Sequence, residues 1–130
     1  MRVYVDVGRC MNRSSVEGQS EGGVVMGVSY ALLEKIERKA GKPLNTSFSN
    51  YVIPTALDAP AAIRNNILEF PEPTQPFGAK GMTENATVPT APAVVDAINC
   101  ALDTNITELP VSPEAIVALA LGRDAPSIEK

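Results

Sequence analysis

Apolar residues along this chain fall into short stretches whose period changes from one stretch to the next. The run Val3 to Val7 (VYVDV) alternates weakly, is rich in β-formers and stops at Gly8, which predicts a strand. The segment Val16 to Glu37 has apolar residues at helical spacing and predicts one long helix, with Ser14 or Ser15 as its N-cap. Gly18, Gly22, Gly23 and Gly27 lie inside that helix. Each interior glycine costs about 1 kcal/mol relative to alanine. Their number therefore predicts that something packs very close to the helix backbone. At about 100° per residue, Gln19, Gly23, Met26 and Tyr30 share one stripe, and Val24, Val25, Val28, Leu32 and Ile36 occupy much of the other side. The helix is expected to be buried almost all round. Core packing explains the stripe as such, but a polar Gln19 on a tightly packed face also suits a hydrogen bond to a ligand.

Beyond the helix, Ala40 to Asn45 is a turn signal around Gly41, with short strands expected at Ile36 to Lys39 and Leu44 to Tyr51. Ile63 to Phe70 predicts another strand. Pro71 to Gly78, with Pro71, Pro73 and Pro76, predicts an extended loop. Ala91 to Leu102 has helical spacing, with Pro92 in its first turn. Ile106 to Pro110 is a short strand or an extended link. Ser112 to Gly122 has the clearest local signals: Ser112 as cap, Pro113 to open, Glu114 at the positive end of the dipole and Gly122 to stop. Isolated strands among non-alternating helices argue an α+β fold. We expect one domain over residues 1–122 and a flexible tail over 123–130.

Composition narrows the chemistry. The 130 residues are 45% hydrophobic, enough to fold. The net charge is −4, without a basic block, which argues against nucleic acid and anionic membranes as partners. The N-terminal apolar run contains Asp6 and lacks a signal-peptide layout, so a cytoplasmic protein is expected. Cys10 and Cys100 are read as reduced core residues, and without a C-x-x-C the chain alone offers no iron–sulfur or structural zinc site. There is no histidine. That removes a Ser-His-Asp triad, a Cys-His pair and any histidine-based metal site, and leaves proton transfer to Glu, Asp, Lys, Tyr or Cys.

One stretch, Pro76 to Pro92, sets a single carboxylate, Glu84, after a Gly-Ala-Lys-Gly turn and before a helix start. That turn lacks the spacer of a phosphate-binding Walker loop, and no G-x-G-x-x-G follows a strand. Lys80 reads as a solvated loop lysine, and Glu72 as a solvated loop charge. Taken alone, Glu84 is a loop carboxylate favoured by a helix dipole.

Five blocks change that reading. VDVGRCMN, VEGQSEGGVVMGVSYALLE, PLNTSFSNYVIPTALDAP, PEPTQPFGAKGMTENATVPTAPAVVDAI and ITELPVSPEAI resemble, in order, the C-terminal stretch of the molybdopterin-binding subunit of the xanthine dehydrogenase/aldehyde oxidase family. The resemblance runs from about Val3 to Leu121. It implies an α+β segment of the molybdopterin-binding domain, with several hundred further residues of the subunit lying upstream. It implies that Glu84 is the catalytic base, taking the proton from a metal-bound hydroxyl that attacks an electron-poor carbon of an N-heterocycle or aldehyde. It implies that Gln19, Gly81, Met82 and Thr83 face the molybdopterin-type molybdenum cofactor, whose own sulfurs hold the metal, so that no residue here is a metal ligand. Electrons would leave through iron–sulfur and flavin subunits or domains.

The chain departs from the family at two places. The family usually reads Gly-Val-Gly-Glu where this chain has Gly81-Met82-Thr83-Glu84, and Met26 stands at a position that is often glutamine. Two functions compete. One is a component of a molybdenum hydroxylase, active only with the rest of its large subunit and binding no cofactor alone. The other is a non-catalytic α+β domain that associates with itself. Either way the isolated chain is expected to form a homo-oligomer.

Overall fold

The computed structural model describes residues 1–123. Strand β1 (Arg2–Asp6) leads to helix α1 (Arg13–Leu32), a small hairpin of β2 (Arg38–Lys39) and β3 (Lys42–Pro43), and strand β4 (Arg64–Leu68). A 3-10 turn at Pro76–Gly78, helix α2 (Thr87–Leu102) and helix α3 (Pro113–Ala120) follow. Helix and strand are mixed as an α+β fold requires. β1 and β4 pair in parallel, in register from Arg2 opposite Arg64 to Asp6 opposite Leu68. Parallel partners need a long crossover. Here α1, the hairpin and the long excursion after it supply that connection.

Helix α1 starts earlier and ends sooner than its apolar pattern predicts. Its N-cap is Asn12, not Ser14 or Ser15: the Asn12 side chain accepts from the Ser15 amide at 3.1 Å. It stops at Leu32 because local bonds redirect the chain. Glu34 accepts from the Ser29 hydroxyl and, at 2.5 Å, from the Tyr51 hydroxyl. The Asn45 side chain donates to Lys35 O at 2.6 Å and accepts from the Glu37 amide at 3.0 Å. Such side-chain bonds give the backbone an alternative to the helix. The same effect removes the strand expected at Leu44 to Tyr51. Ser47 and Asn50 close a turn there, with the Tyr51 amide on Ser47 O at 2.8 Å. The hairpin is correspondingly smaller than expected.

The close packing foreseen for the helical glycines is real for two of them. A Cβ on Gly23 would lie 3.0 Å from Ala86 Cβ, and one on Gly27 only 2.5 Å from Thr90 Cβ. The start of α2 thus sits directly on the α1 backbone. Gly18 and Gly22 face open space instead. α1 is not buried all round: Val16, Ser20, Gly23, Val24, Gly27, Ser29 and Ala31 are buried, while Gln19 and Tyr30 are exposed. Val5, Val7 and Val16 form a small core with Cys10, Ile67 and Met82 against it.

Helix α2 begins four residues before the expected start, so Pro92 lies within the helix rather than in its first turn. Its missing N–H leaves the Val88 carbonyl without the usual helical donor. Thr90 bonds back to Ala86 O at 2.6 Å in the same turn. Helix α3 has the expected cap, with the Ala115 amide on Ser112 Oγ at 3.2 Å, and Gly122 follows it at φ 68°. No strand forms at Ile106 to Pro110. Both cysteines are free, and Cys100 is exposed rather than in the core. Apart from Arg123, the tail expected from residue 123 lies outside the described residues.

Candidate cofactor loop

The segment Pro71 to Lys80 is clasped rather than extended. The Glu72 amide donates to Gly78 O at 3.1 Å, the Gly78 amide to Gln75 O at 3.0 Å, and the Ala79 amide to Pro76 O at 3.1 Å. Phe77 and Gly78 have φ of 57° and 73°. Glu72 is not a free loop charge either. It accepts from the Thr74 hydroxyl at 2.8 Å and the Thr74 amide at 3.2 Å, which holds its carboxyl below the usual range.

After the clasp, the chain docks on the end of β1. The Lys80 amide donates to Val7 O and the Arg9 amide to Gly78 O, each at 2.9 Å, and Gly8 bridges Ala79. Gly8 is required here: its φ is +63°, and a Cβ would meet Gly78 O at 2.2 Å. Lys80 is not a solvated lysine. Its ammonium donates to Asp6, whose other carboxylate oxygen accepts from the amides of Gly8 at 3.0 Å and Phe70 at 3.1 Å. The Lys80 bond first, and then these two amides, lower the Asp6 pKa from 3.8 to about 2.

Two residues further, the Met82 side chain packs against Val5, Val7 and Val16. Its side chain is thus partly taken up by the core. Gly81, Thr83 and Glu84 are exposed. Among the described residues, none of the backbone N–H groups from Gly81 to Asn85 donates to another group of the chain. The Thr87 amide then donates to Glu84 O at 2.9 Å and α2 begins.

The α1 stripe meets this loop from the other side. Gly23 touches Ala86 and Thr87, and the Thr87 hydroxyl donates to Met26 Sδ at 3.8 Å. Gln19 lies one helical turn before Gly23 on the same face, about 6 Å along the axis. Gln19, Gly23, Met26 and the Glu84 loop therefore belong to one region. Tyr30, two turns beyond Gly23, is 43% exposed and lies away from the loop. Sequence reasoning missed Asp6 as a loop anchor. Its one signal is a charge in an otherwise apolar strand.

The donor set suits a cofactor that brings its own metal ligands. It consists of a carboxamide, a run of unengaged amides and one carboxylate, with open space at Gly81. Among the described residues no group of three or more Cys, Asp or Glu could hold a metal ion.

Comparison with known proteins identifies the fold as a segment of a molybdopterin-binding domain. The sequence profile of the molybdopterin cofactor-binding domain matches residues 1–60. The nicotine 6-hydroxylase large subunit of Paenarthrobacter nicotinovorans is 37% identical over 122 residues, spanning 90% of this chain and 15% of that protein. The xanthine dehydrogenase molybdenum-binding subunit of Escherichia coli O157:H7 is 33% identical over 113 residues, spanning 85% of this chain and 15% of that protein. The crystal structure of quinoline 2-oxidoreductase from Pseudomonas putida 86 superposes with a TM-score of 0.84 at 36% identity, over 94% of this chain and 16% of that one. The chain belongs to the xanthine dehydrogenase/aldehyde oxidase family of molybdenum hydroxylases, as part of the molybdopterin-binding subunit. It spans about 15% of the length of the curated relatives it matches.

Proposed function

We propose that this chain supplies the catalytic-base segment of a molybdenum hydroxylase acting on an N-heterocycle or aldehyde. The remainder of the large subunit and iron–sulfur and flavin partners would complete the enzyme. The observation that carries the reading is the Glu84 loop itself. An exposed carboxylate and a run of unengaged amides are held between the end of β1 and the α1–α2 contact. When bound, a molybdopterin-type cofactor supplies the two-electron oxidation of the substrate carbon. The chain's own part is narrower. Gln19 and the amides of Gly81, Met82 and Thr83 bind and orient the cofactor by hydrogen bonds. Glu84 accepts at a carboxylate oxygen the proton released as water becomes the nucleophile.

Exposed apolar side chains support a need for further protein. Leu57 is 96% exposed and Phe48 85%, and large apolar side chains left in water suit cover by another chain or segment.

The same observation favours a second reading, in which a second copy of the chain covers that surface and no catalysis follows. Co-expression with the product of a neighbouring gene for the rest of the subunit separates the two. A co-purifying complex with stoichiometric molybdenum supports the enzyme reading, the chain alone being expected to hold none. Failure of any such product to associate supports the second.

A further inference from the structure

We propose that Asp6 is a positioning residue for Glu84, acting through Lys80. The inference rests on the reading of Glu84 as the base. It goes beyond that reading by naming what holds the base in place.

Three segments meet at the Asp6 carboxylate. One oxygen takes the Gly8 amide at 3.0 Å, at the end of β1, and the Phe70 amide at 3.1 Å, on the exit from β4. The other takes the Lys80 ammonium, on the loop that runs to Glu84. Ion pairs between mobile surface side chains contribute little, because ordering them offsets their attraction. This pair differs in that its acid is already fixed by two backbone donors from separate segments. Both side chains are also about two-thirds covered, at 35% exposure for Lys80 and 29% for Asp6.

The stretch beyond Lys80 is held by few bonds. Gly81 has no neighbour at the Cβ position, and the amides from Gly81 to Asn85 have no partner in the chain among the described residues. Between β1 and α2 the loop is held by the Lys80 side chain on Asp6 and the Lys80 amide on Val7 O, by the Met82 side chain, by the Asn85 side chain on Gly81 O at 3.5 Å and by the Thr87–Glu84 bond. Releasing the Lys80 ammonium from Asp6 leaves only backbone bonds to tie this end of the loop to β1 and lets the loop pivot about Gly81. A base displaced by about 1 Å can lower turnover roughly a hundredfold while substrate binding persists.

The test uses Lys80→Met, Asp6→Asn and Lys80→Arg in the assembled enzyme, with amide exchange measured on this chain. Lys80→Met and Asp6→Asn are expected to lower kcat by roughly ten- to a hundredfold, with KM within about threefold of the parent. Molybdenum content should be unchanged. The Lys80 and Thr87 amides should exchange faster, while those of β4 keep their protection. Lys80→Arg, which keeps the charge, should restore most of kcat. Should Asp6→Asn fail to fold, Lys80→Met decides alone. A normal kcat in Lys80→Met, or unchanged exchange at Thr87, overturns the inference. If Glu84→Gln is inactive beside a normal Lys80→Met, only the positioning role falls. If Glu84→Gln is fully active, the base reading falls and this inference with it.

Discussion

Gly27 of α1 lies so close to Thr90 of α2 that a Cβ on the glycine would sit 2.5 Å from the threonine Cβ and 2.8 Å from its Cγ2. Backbone of one helix packs here against a side chain of the next. It fixes the start of α2, three residues after Glu84. Gly27→Ala is therefore expected to destabilise the chain by about 1–3 kcal/mol, overpacking outweighing the gain in helix propensity. Gly22→Ala, at a position with nothing within 4 Å, should instead stabilise by about 0.5–1 kcal/mol. Urea denaturation of both variants checks the pair. Equal effects of the same sign would contradict the packing described.

Ser20 is fully buried in α1, and its hydroxyl has no hydrogen-bond partner among the described residues. An unsatisfied buried hydroxyl is unfavourable, and its removal leaves only a small void. Ser20→Ala should be neutral or stabilising by up to about 1 kcal/mol. A loss above about 1 kcal/mol in denaturant melts would mean that the hydroxyl is bonded after all.

Acid should weaken the Asp6 anchor in a defined window. The Asp6 pKa is lowered from 3.8 to about 2 in the folded chain, so its contribution is fully present above the unfolded value and fades as pH falls through the folded one. The stability difference between the parent and Asp6→Asn should therefore shrink between about pH 4 and pH 2. Denaturation midpoints across that range provide the measurement. Parallel curves would show that Asp6 is not the group responsible.

The exposed Leu57 and Phe48 predict association. The isolated protein should sediment as a dimer or larger species at micromolar concentration, with exchange protection appearing over the apolar surface. A single monomeric boundary under those conditions would contradict this.

What could be read in the sequence follows how local its cause is. α3 was legible because Ser112, Pro113, Glu114 and Gly122 act within their own turns. The spans of β1 and β4 were also legible, but not their parallel pairing, which joins residues some sixty positions apart. The end of α1 was hidden because Tyr51 and Asn45, far down the chain, supply the bonds that stop it. The glycines signalled a close approach correctly for Gly23 and Gly27, and nothing local distinguished them from Gly18 and Gly22. Glu84 stood out by resemblance and not by any physical property of its loop. The Asp6–Lys80 bond spans 74 positions and left no trace in the pattern beyond a charge in the apolar run Val3 to Val7. Met82 illustrates the same limit, since only the fold reveals that its side chain joins the core.

The central claim is that Glu84 serves as a general base, and Glu84→Gln in the assembled enzyme tests it most directly. Glutamine keeps the length and hydrogen-bonding reach of glutamate but cannot accept the proton. The Thr87–Glu84 bond uses the main-chain carbonyl, so the loop should keep its shape. Glu108→Gln is the control, an exposed residue outside the loop whose side chain makes no hydrogen bond among the described residues. With molybdenum content equal in all samples, turnover of Glu84→Gln should fall by about 10² to 10⁴ and that of Glu108→Gln should not change. Retention of more than about a tenth of parental turnover by a fully loaded Glu84→Gln enzyme would contradict the account.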